Sequence, residues 1–390
     1  MFQRILTLKL PTNRSAFLLG ARQTGKSTYL KQCFPMSFKY DLLQTNVKMR
    51  LEKSPHLLRE EVQALSHSLQ SQPIIIDEIQ KVPALLDEVH WLIENAGITF
   101  ILCGSSARQL KRLGTNLLGG RAIRYNFYPL TFAEIPQFDL LKALNNGLLP
   151  SHCQATTDEI TLLLEAYITN YLNEEIREEG LVRHLPDFAR FLDSIAFSNT
   201  EQVNYSNITR DCSVSAKTVE SYYQILIDTL IGTLITPFQK KRKRDIITKT
   251  PKFYLFDTGV GNYLSKRSIN TLKGSAAGSV FEQYIFMELT AYINLYKKRE
   301  DITYWRTKTG LEVDFVIGDD HTAIEVKISQ TVHKKELHDL IAFCEEHQPK
   351  KAIVVSQDAR ARMLTINDNC QILILPWKDF LTQPWAHEIT

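Results

Sequence analysis

The chain has 390 residues, 44% of them hydrophobic and 23% charged, with 46 lysines and arginines against 43 aspartates and glutamates. That length exceeds what one hydrophobic core usually serves, so two or three domains are expected, and the composition excludes a fibrous or disordered protein. A net charge of +3 excludes nucleic-acid binding through bulk charge and directs the search to local basic clusters.

The six cysteines (Cys33, Cys103, Cys153, Cys212, Cys344 and Cys370) are scattered, with no CxxC pair and no histidine at zinc spacing, which reads as reduced thiols in a cytoplasm and no structural zinc. No run of about 18 apolar residues occurs, and the stretch from Ile225 to Ile235 is interrupted by Asp228, so no membrane span is expected. The opening MFQRILTLKLPTNRS carries charge throughout and lacks the apolar core of a secretion signal.

Ser15 to Leu19 is an apolar strand, followed by Gly20-Ala21-Arg22-Gln23-Thr24-Gly25-Lys26-Ser27 and a helix-compatible stretch from Thr28. Glycines at these positions let consecutive main-chain amides face one anion at a helix N-terminus, where the dipole favours negative charge. The loop from Gly20 to Thr28 is therefore expected to bind the phosphates of a nucleoside triphosphate, with Lys26 on the β/γ-phosphates and the Ser27 hydroxyl on magnesium. A second strand, Pro73-Ile74-Ile75-Ile76-Asp77-Glu78, ends in two acids where ligands of open parallel sheets bind. Asp77 is expected to hold magnesium through water and Glu78 to orient the attacking water; a solvated strand end is the alternative. A third strand, Ile98 to Cys103, runs into Gly104-Ser105-Ser106, where Ser105 ahead of Ser106 is either a γ-phosphate sensor or ordinary turn chemistry. Leu118-Gly119-Gly120-Arg121 then precedes a strand-like run from Ala122 to Leu130.

GARQTGKST, IIIDEIQKVP, FILCGSS, LGGR and YPLTFAEI, in this order, resemble the AAA-type ATPases fused to a C-terminal restriction-endonuclease-like domain of unclear function, and the resemblance extends over nearly the whole chain. It implies a parallel sheet flanked by helices and a preference for ATP, consistent with the lack of a guanine-reading N-K-x-D motif. It also makes Arg121 a candidate arginine finger, with a surface ion pair as the alternative for Arg108, Arg121 and Arg124 alike. A finger acting in trans implies a homo-oligomer.

From Thr156 to Ser198 the apolar spacing is helical, with Leu162, Leu163, Ala166, Tyr167 and Tyr171 on one face and Phe188, Phe191, Leu192 and Ile195 on another. Tyr205 to Arg210 then reads as a short helix, Cys212 to Val214 as a turn and Ser215 to Leu230 as a second helix. This spacing resembles a winged helix presenting Ser215, Lys217, Thr218 and Ser221. Beyond it Lys240-Lys241-Arg242-Lys243-Arg244 is the densest positive cluster, suited to nucleic-acid phosphates, DNA before RNA, or else a solvated hairpin tip.

Phe253 to Phe256 reads as a strand, Asp257-Thr258-Gly259 as a turn, and Ala276 to Ile293 as a helix carrying Glu282. Three strand-like runs follow, Ile302 to Trp305, Leu311 to Ile317 with Glu312 and Asp314, and Ala323 to Lys327 with Glu325 and Lys327, before a helix near Lys334 to Glu346 and a strand from Ala352 to Val355. This order resembles the restriction-endonuclease fold. Alternate strand residues share a face, so Glu325 and Lys327 point together and Asp314 joins them from the next strand. Asp314, Glu325 and Glu282 are the candidate ligands for magnesium or manganese, with Lys327 orienting a water for phosphodiester hydrolysis. Val313 stands where that family carries a proline, so cleavage and a non-cutting binding module both remain open.

The expected organisation is α/β throughout. Residues 1–135 form a P-loop ATPase domain, 136–245 a helical and winged-helix domain, and 246–390 a restriction-endonuclease-like domain. Two functions follow: an ATPase that controls nucleic-acid processing by its C-terminal half, or an ATP-driven switch whose nuclease-like domain only binds.

Overall fold

The computed structural model describes residues 2–12, 14–105, 117–172, 182, 184–239, 250–367 and 370–385. The chain forms two compact units. One comprises Met1–Leu130, Leu149–Ser151 and Gln224–Ile231; the other comprises Thr131–Leu148, His152–Tyr223 and Gly232–Thr390.

The first unit is built on a five-stranded sheet of β1 (Ser15–Leu19), β2 (Lys39–Asp41), β3 (Ile74–Asp77), β4 (Phe100–Gly104) and β5 (Ala122–Asn126), in the order β2-β3-β4-β1-β5. Every pairing is parallel. The near-continuous apolar runs of β1, β3 and β4 are buried at every position, as strands covered on both faces must be. Flanking helices Lys26–Cys33, Thr45–Lys53, Leu57–Ala64 and Leu85–Ala96 supply the cover. Leu58, Val62, Leu85, Val89 and Leu92 close one core with Phe17, Ile74, Ile76, Phe100 and Leu102. Leu19, Gly104 and Asn126 lie in register, as do Asp77 and Cys103, so the C-terminal ends of the strands line one edge.

The second unit begins with helices Leu140–Asn146, Thr157–Ala166 and Leu185–Phe197 and a π-helical turn at Tyr167–Leu172. Helices Tyr205–Cys212 and Ala216–Asp228 are joined through Ser213, whose φ of 57° makes the sharp corner. Strands β6 (Gly232–Ile235) and β7 (Lys252–Leu255) then pair antiparallel. The basic run Lys240 to Arg244 lies outside the described residues, as do Ser106 and Arg108.

Asp257-Thr258-Gly259, expected as a turn, instead opens a helix, Thr258–Leu264, because the Asp257 carboxylate accepts from Val260 N at 3.1 Å and caps it. Asx chemistry serves turns and helix starts alike, so the tripeptide alone does not distinguish them. Helix Gly274–Leu295 leads to a six-stranded sheet: β8 (Ile302–Arg306), β9 (Glu312–Ile317), β10 (Thr322–Val326), β11 (Lys351–Ser356), β12 (Arg362–Asn367) and β13 (Cys370–Pro376), in the order β12-β13-β11-β10-β9-β8. β8, β9 and β10 are antiparallel neighbours, whereas β10, β11 and β13 run parallel. Phe286 of the long helix stacks on Phe315, and Leu340 and Phe343 of helix His338–His347 pack with Val316, Val354 and Ile372. Strands β12 and β13 and helix Trp377–Trp385 extend the expected core.

Candidate functional site

The β1 exit turns into the loop Gly20–Gly25, and helix Lys26–Cys33 starts immediately after it. A methyl group on Gly20 would come within 2.3 Å of Phe127 O, so the loop's first residue must be glycine for the backbones to meet. Gly25, at φ 96°, takes the left-handed turn into the helix. Lys26 is buried and its Nζ donates to Gly20 O at 2.7 Å and Ala21 O at 2.9 Å, folding the ammonium back over the loop. Arg4, which no sequence motif singles out, holds the loop from outside. Its guanidinium donates to Thr24 O at 2.7 Å and Tyr128 O at 2.7 Å and lies 4.1 Å above the Phe127 ring.

Asp77 ends β3 with its side chain 3% exposed. Its Oδ2 accepts from Ser27 Oγ at 2.7 Å and pairs with Lys39 Nζ at 2.8 Å, while its Oδ1 is buried without a hydrogen-bond partner. Burial acts to raise its pKa, but Lys39 and Ser27 outweigh burial and hold the carboxyl below its ordinary range. An ionised carboxylate with a spare buried oxygen beside a serine hydroxyl is a donor set that fits magnesium. Glu78 takes the left-handed conformation at φ 59° and is 9% exposed. Gln80 bridges it to Ser105: its Nε2 donates to Glu78 Oε2 and, at 2.9 Å, to Ser105 Oγ. The structure thus gathers Lys26, Ser27, Asp77, Glu78 and Ser105 at one sheet edge, with Gln80 as the organiser the sequence reading missed.

Arg121 is not gathered there. It precedes β5, whose Ala122 pairs with Ser15, so it sits at the opposite end of the sheet from the loop that follows Leu19, ion-paired with Glu94. The ion pair with Glu94 is the surface pairing named as its alternative, and the placement keeps Arg121 away from a nucleotide bound at the Gly20–Thr28 loop of its own unit.

In the second unit Asp314 of β9 and Glu325 of β10 come together with Lys327, which follows the end of β10. Lys327 Nζ donates to Glu325 Oε1 at 2.6 Å, Asp314 Oδ2 accepts from Val326 N at 2.8 Å, and Glu325 Oε2 is buried without a hydrogen-bond partner. Burial, reinforced by the Asp314 charge, pushes Glu325 up to about 8. Glu282 is engaged differently from a free metal ligand: Oε1 accepts from Tyr254 OH at 2.6 Å and from Lys252 Nζ at 3.3 Å. Lys252, 2% exposed, also pairs with Glu312, which pairs in turn with Arg306. Among the described residues no group of three or more His, Cys, Asp or Glu side chains is arranged to hold a metal ion. Asp314 and Glu325 are the two carboxylates of the expected set that the β9–β10 pairing brings close to Lys327. Lys252 was not singled out in the sequence, and Glu312, noted on its strand, had no role there, because β7 and β9 meet only in the fold.

In the helix pair, Ser215 accepts from Thr218 N at 3.2 Å as the expected cap, Ser215 and Lys217 are exposed, and Thr218 and Ser221 are half-buried. None of the described helices is long and apolar enough to cross a membrane.

Residues 12–136 match a family model described as an AAA domain, residues 137–271 one described as Domain of unknown function (DUF8612), and residues 277–378 one described as Domain of unknown function (DUF4143). An uncharacterised protein of Methanocaldococcus jannaschii is 23% identical over 421 residues, covering 98% of this chain and 91% of that protein. Among solved structures, the Aeropyrum pernix ORC1 protein in complex with DNA is 13% identical over 65% of this chain and 86% of its own, at a TM-score of 0.27. A Signal Transduction ATPase with Numerous Domains protein with a tetratricopeptide repeat sensor, from Pyrococcus horikoshii, is 12% identical over 76% of this chain and 48% of its own, at a TM-score of 0.20. The parallel sheet, the loop geometry and the AAA match agree that residues 12–136 form a P-loop ATPase domain.

Proposed function

We propose that the protein binds and hydrolyses ATP with magnesium at the Gly20–Thr28 loop, and that its nucleotide state governs nucleic-acid binding or processing by the C-terminal half. The observation that carries this reading is the 2.7 Å contact between Ser27 Oγ and Asp77 Oδ2, which joins the phosphate loop to the acidic strand end. Main-chain amides from Ala21 to Thr28 wrap the phosphates, and Lys26 leaves the Gly20 and Ala21 carbonyls for the β/γ-phosphate oxygens. Magnesium, held by Ser27 and Asp77, would neutralise charge on those oxygens. Glu78 orients the attacking water, and Gln80 holds Glu78 and Ser105 at the γ-phosphate position. Arg121 serves a neighbouring copy in a homo-oligomer.

The helix-turn-helix with its following strand pair supports a winged helix that binds DNA, with Lys240 to Arg244 on phosphates. The order β8-β9-β10-β11, antiparallel then parallel, after a helix carrying Glu282, supports a restriction-endonuclease-like fold. There Asp314 and Glu325 would hold magnesium or manganese, and Lys327 would orient the water for phosphodiester cleavage. One observation favours the non-cutting switch instead: Lys252 and Lys327 already neutralise carboxylates of the cluster.

The purified 390-residue chain is incubated with single- and double-stranded DNA and RNA and magnesium or manganese, with and without ATP, beside Lys26→Ala, Asp314→Ala and Lys327→Ala. Phosphate release lost in Lys26→Ala supports the ATPase, and no release by the wild type under any condition refutes it. Cleavage lost in the other two variants supports the nuclease; retained binding without cleavage supports the switch.

A further inference from the structure

Asp77 Oδ2 carries two partners at once, Ser27 Oγ at 2.7 Å and Lys39 Nζ at 2.8 Å. The lysine comes from the sheet's edge strand: Lys39 pairs with Ile75 and Asp41 with Asp77, so Lys39 stands two residues upstream of Asp77 on the same face, within reach of its own side-chain stem. The contact is sheltered, with the Lys39 side chain 25% exposed and Asp77 3%. The ammonium therefore stands at the oxygen that, with Ser27, suits a divalent cation. Magnesium demands its ligands or their waters at about 2.0–2.1 Å in near-octahedral order, and two cations on one sheltered carboxylate oxygen repel with little screening.

We propose that Lys39 is a resident counter-cation of the magnesium site. It pairs with Asp77 Oδ2 and orients it in the absence of metal and must leave that oxygen when magnesium and nucleotide bind, so it sets how much magnesium the protein requires. Lys39 is in this sense a positioning residue acting through Asp77. The inference rests on the ATP and magnesium reading of the loop, and it adds a competition which that reading does not contain. A buried carboxylate without any cation is costly, which gives the lysine a role before ligand arrives. The same lysine opposes the metal afterwards.

The test uses the full chain as wild type, Lys39→Met and Lys39→Arg. Magnesium is titrated calorimetrically in the presence of saturating ADP, where no turnover occurs, and melting is followed in EDTA and in Mg·ADP. In Lys39→Met the half-saturating magnesium concentration falls several-fold. The same variant melts below wild type in EDTA, and Mg·ADP erases that deficit. Lys39→Arg tracks the wild type in both measurements. A lysine that merely braces the sheet would leave the magnesium requirement unchanged and the melting deficit equal in both buffers, and that result overturns the proposal. Should Lys39→Met fail to fold, Lys39→Gln serves with the same expectations. A wild-type chain that takes up no Mg·ADP overturns the site and this role together; a wild type that binds, with an unshifted variant, overturns the role alone.

Discussion

Lys26 spends the described state bonded to two carbonyls of its own loop, so the group that meets the β/γ-phosphates has to exchange those bonds for phosphate oxygens. Removing it should lower turnover on the order of 10²–10³-fold, the loss typical of deleting one donor at a developing anion, read by phosphate release. Arg4 acts on the same loop without reaching the phosphates, through its bonds to Thr24 O and Tyr128 O. Hydrogen bonds from a charged donor contribute about 1.5–3 kcal/mol each, so Arg4→Ala is expected to weaken nucleotide binding roughly tenfold in a fluorescent-nucleotide titration. Unchanged affinity would refute the bracing role. The phosphate loop was legible in the sequence because its eight residues are contiguous and their spacing is their chemistry. Arg4, Lys39, Gln80 and Lys252 were not, because each gains its partner from a strand or loop distant in sequence.

Helix Gly274–Leu295 carries a second buried acid besides Glu282. Glu288, 3% exposed, accepts from Phe132 N at 2.7 Å, Tyr284 OH at 3.0 Å and Trp385 Nε1 at 3.1 Å. Burial raises its pKa from 4.5 to about 7. Between those values the folded protein keeps a proton that the unfolded chain has released, so this group makes stability fall as pH rises from about 4.5 to about 7. Glu288→Gln should flatten the melting temperature across that window, and an unaltered slope would contradict the assignment. Asp257, fully buried, gives a second test at this scale: it accepts from Leu148 N at 2.7 Å as well as Val260 N at 3.1 Å. Asp257→Ala removes a cap worth about 1 kcal/mol and strands a buried amide at about 1–3 kcal/mol, so melting should drop by several degrees. Strands β1, β3, β4 and β8 to β11 were readable from their apolar runs or alternation. β12 and β13 were overlooked: the edge strand Arg362–Asn367 is too exposed to carry an apolar signal, whereas β13 has one in Ile372 to Leu375 that the motif order did not use.

At the scale of the whole chain, the first unit is not contiguous in sequence: it takes in Leu149–Ser151 and Gln224–Ile231, with Leu230 packed on its core and Pro150 beside Gly25. A fragment of residues 1–135 therefore lacks part of its own packing and should melt below the same unit in the full chain, measured by circular dichroism; equal stability would show that the later segments are dispensable. Sequence reading placed the boundary at 135 because motifs end there, and motifs carry no information on which distant helix end completes a core. If nucleic acid is held by the basic run, neutralising Arg242 and Lys243 should lower the slope of log affinity against log salt by about 1–2. The most direct measurement of the account is isothermal titration of the folded 390-residue chain with ATP, with and without magnesium. The account predicts stoichiometric uptake that is strengthened by magnesium and lost in Lys26→Ala; no heat of binding from the folded chain with magnesium present would contradict it.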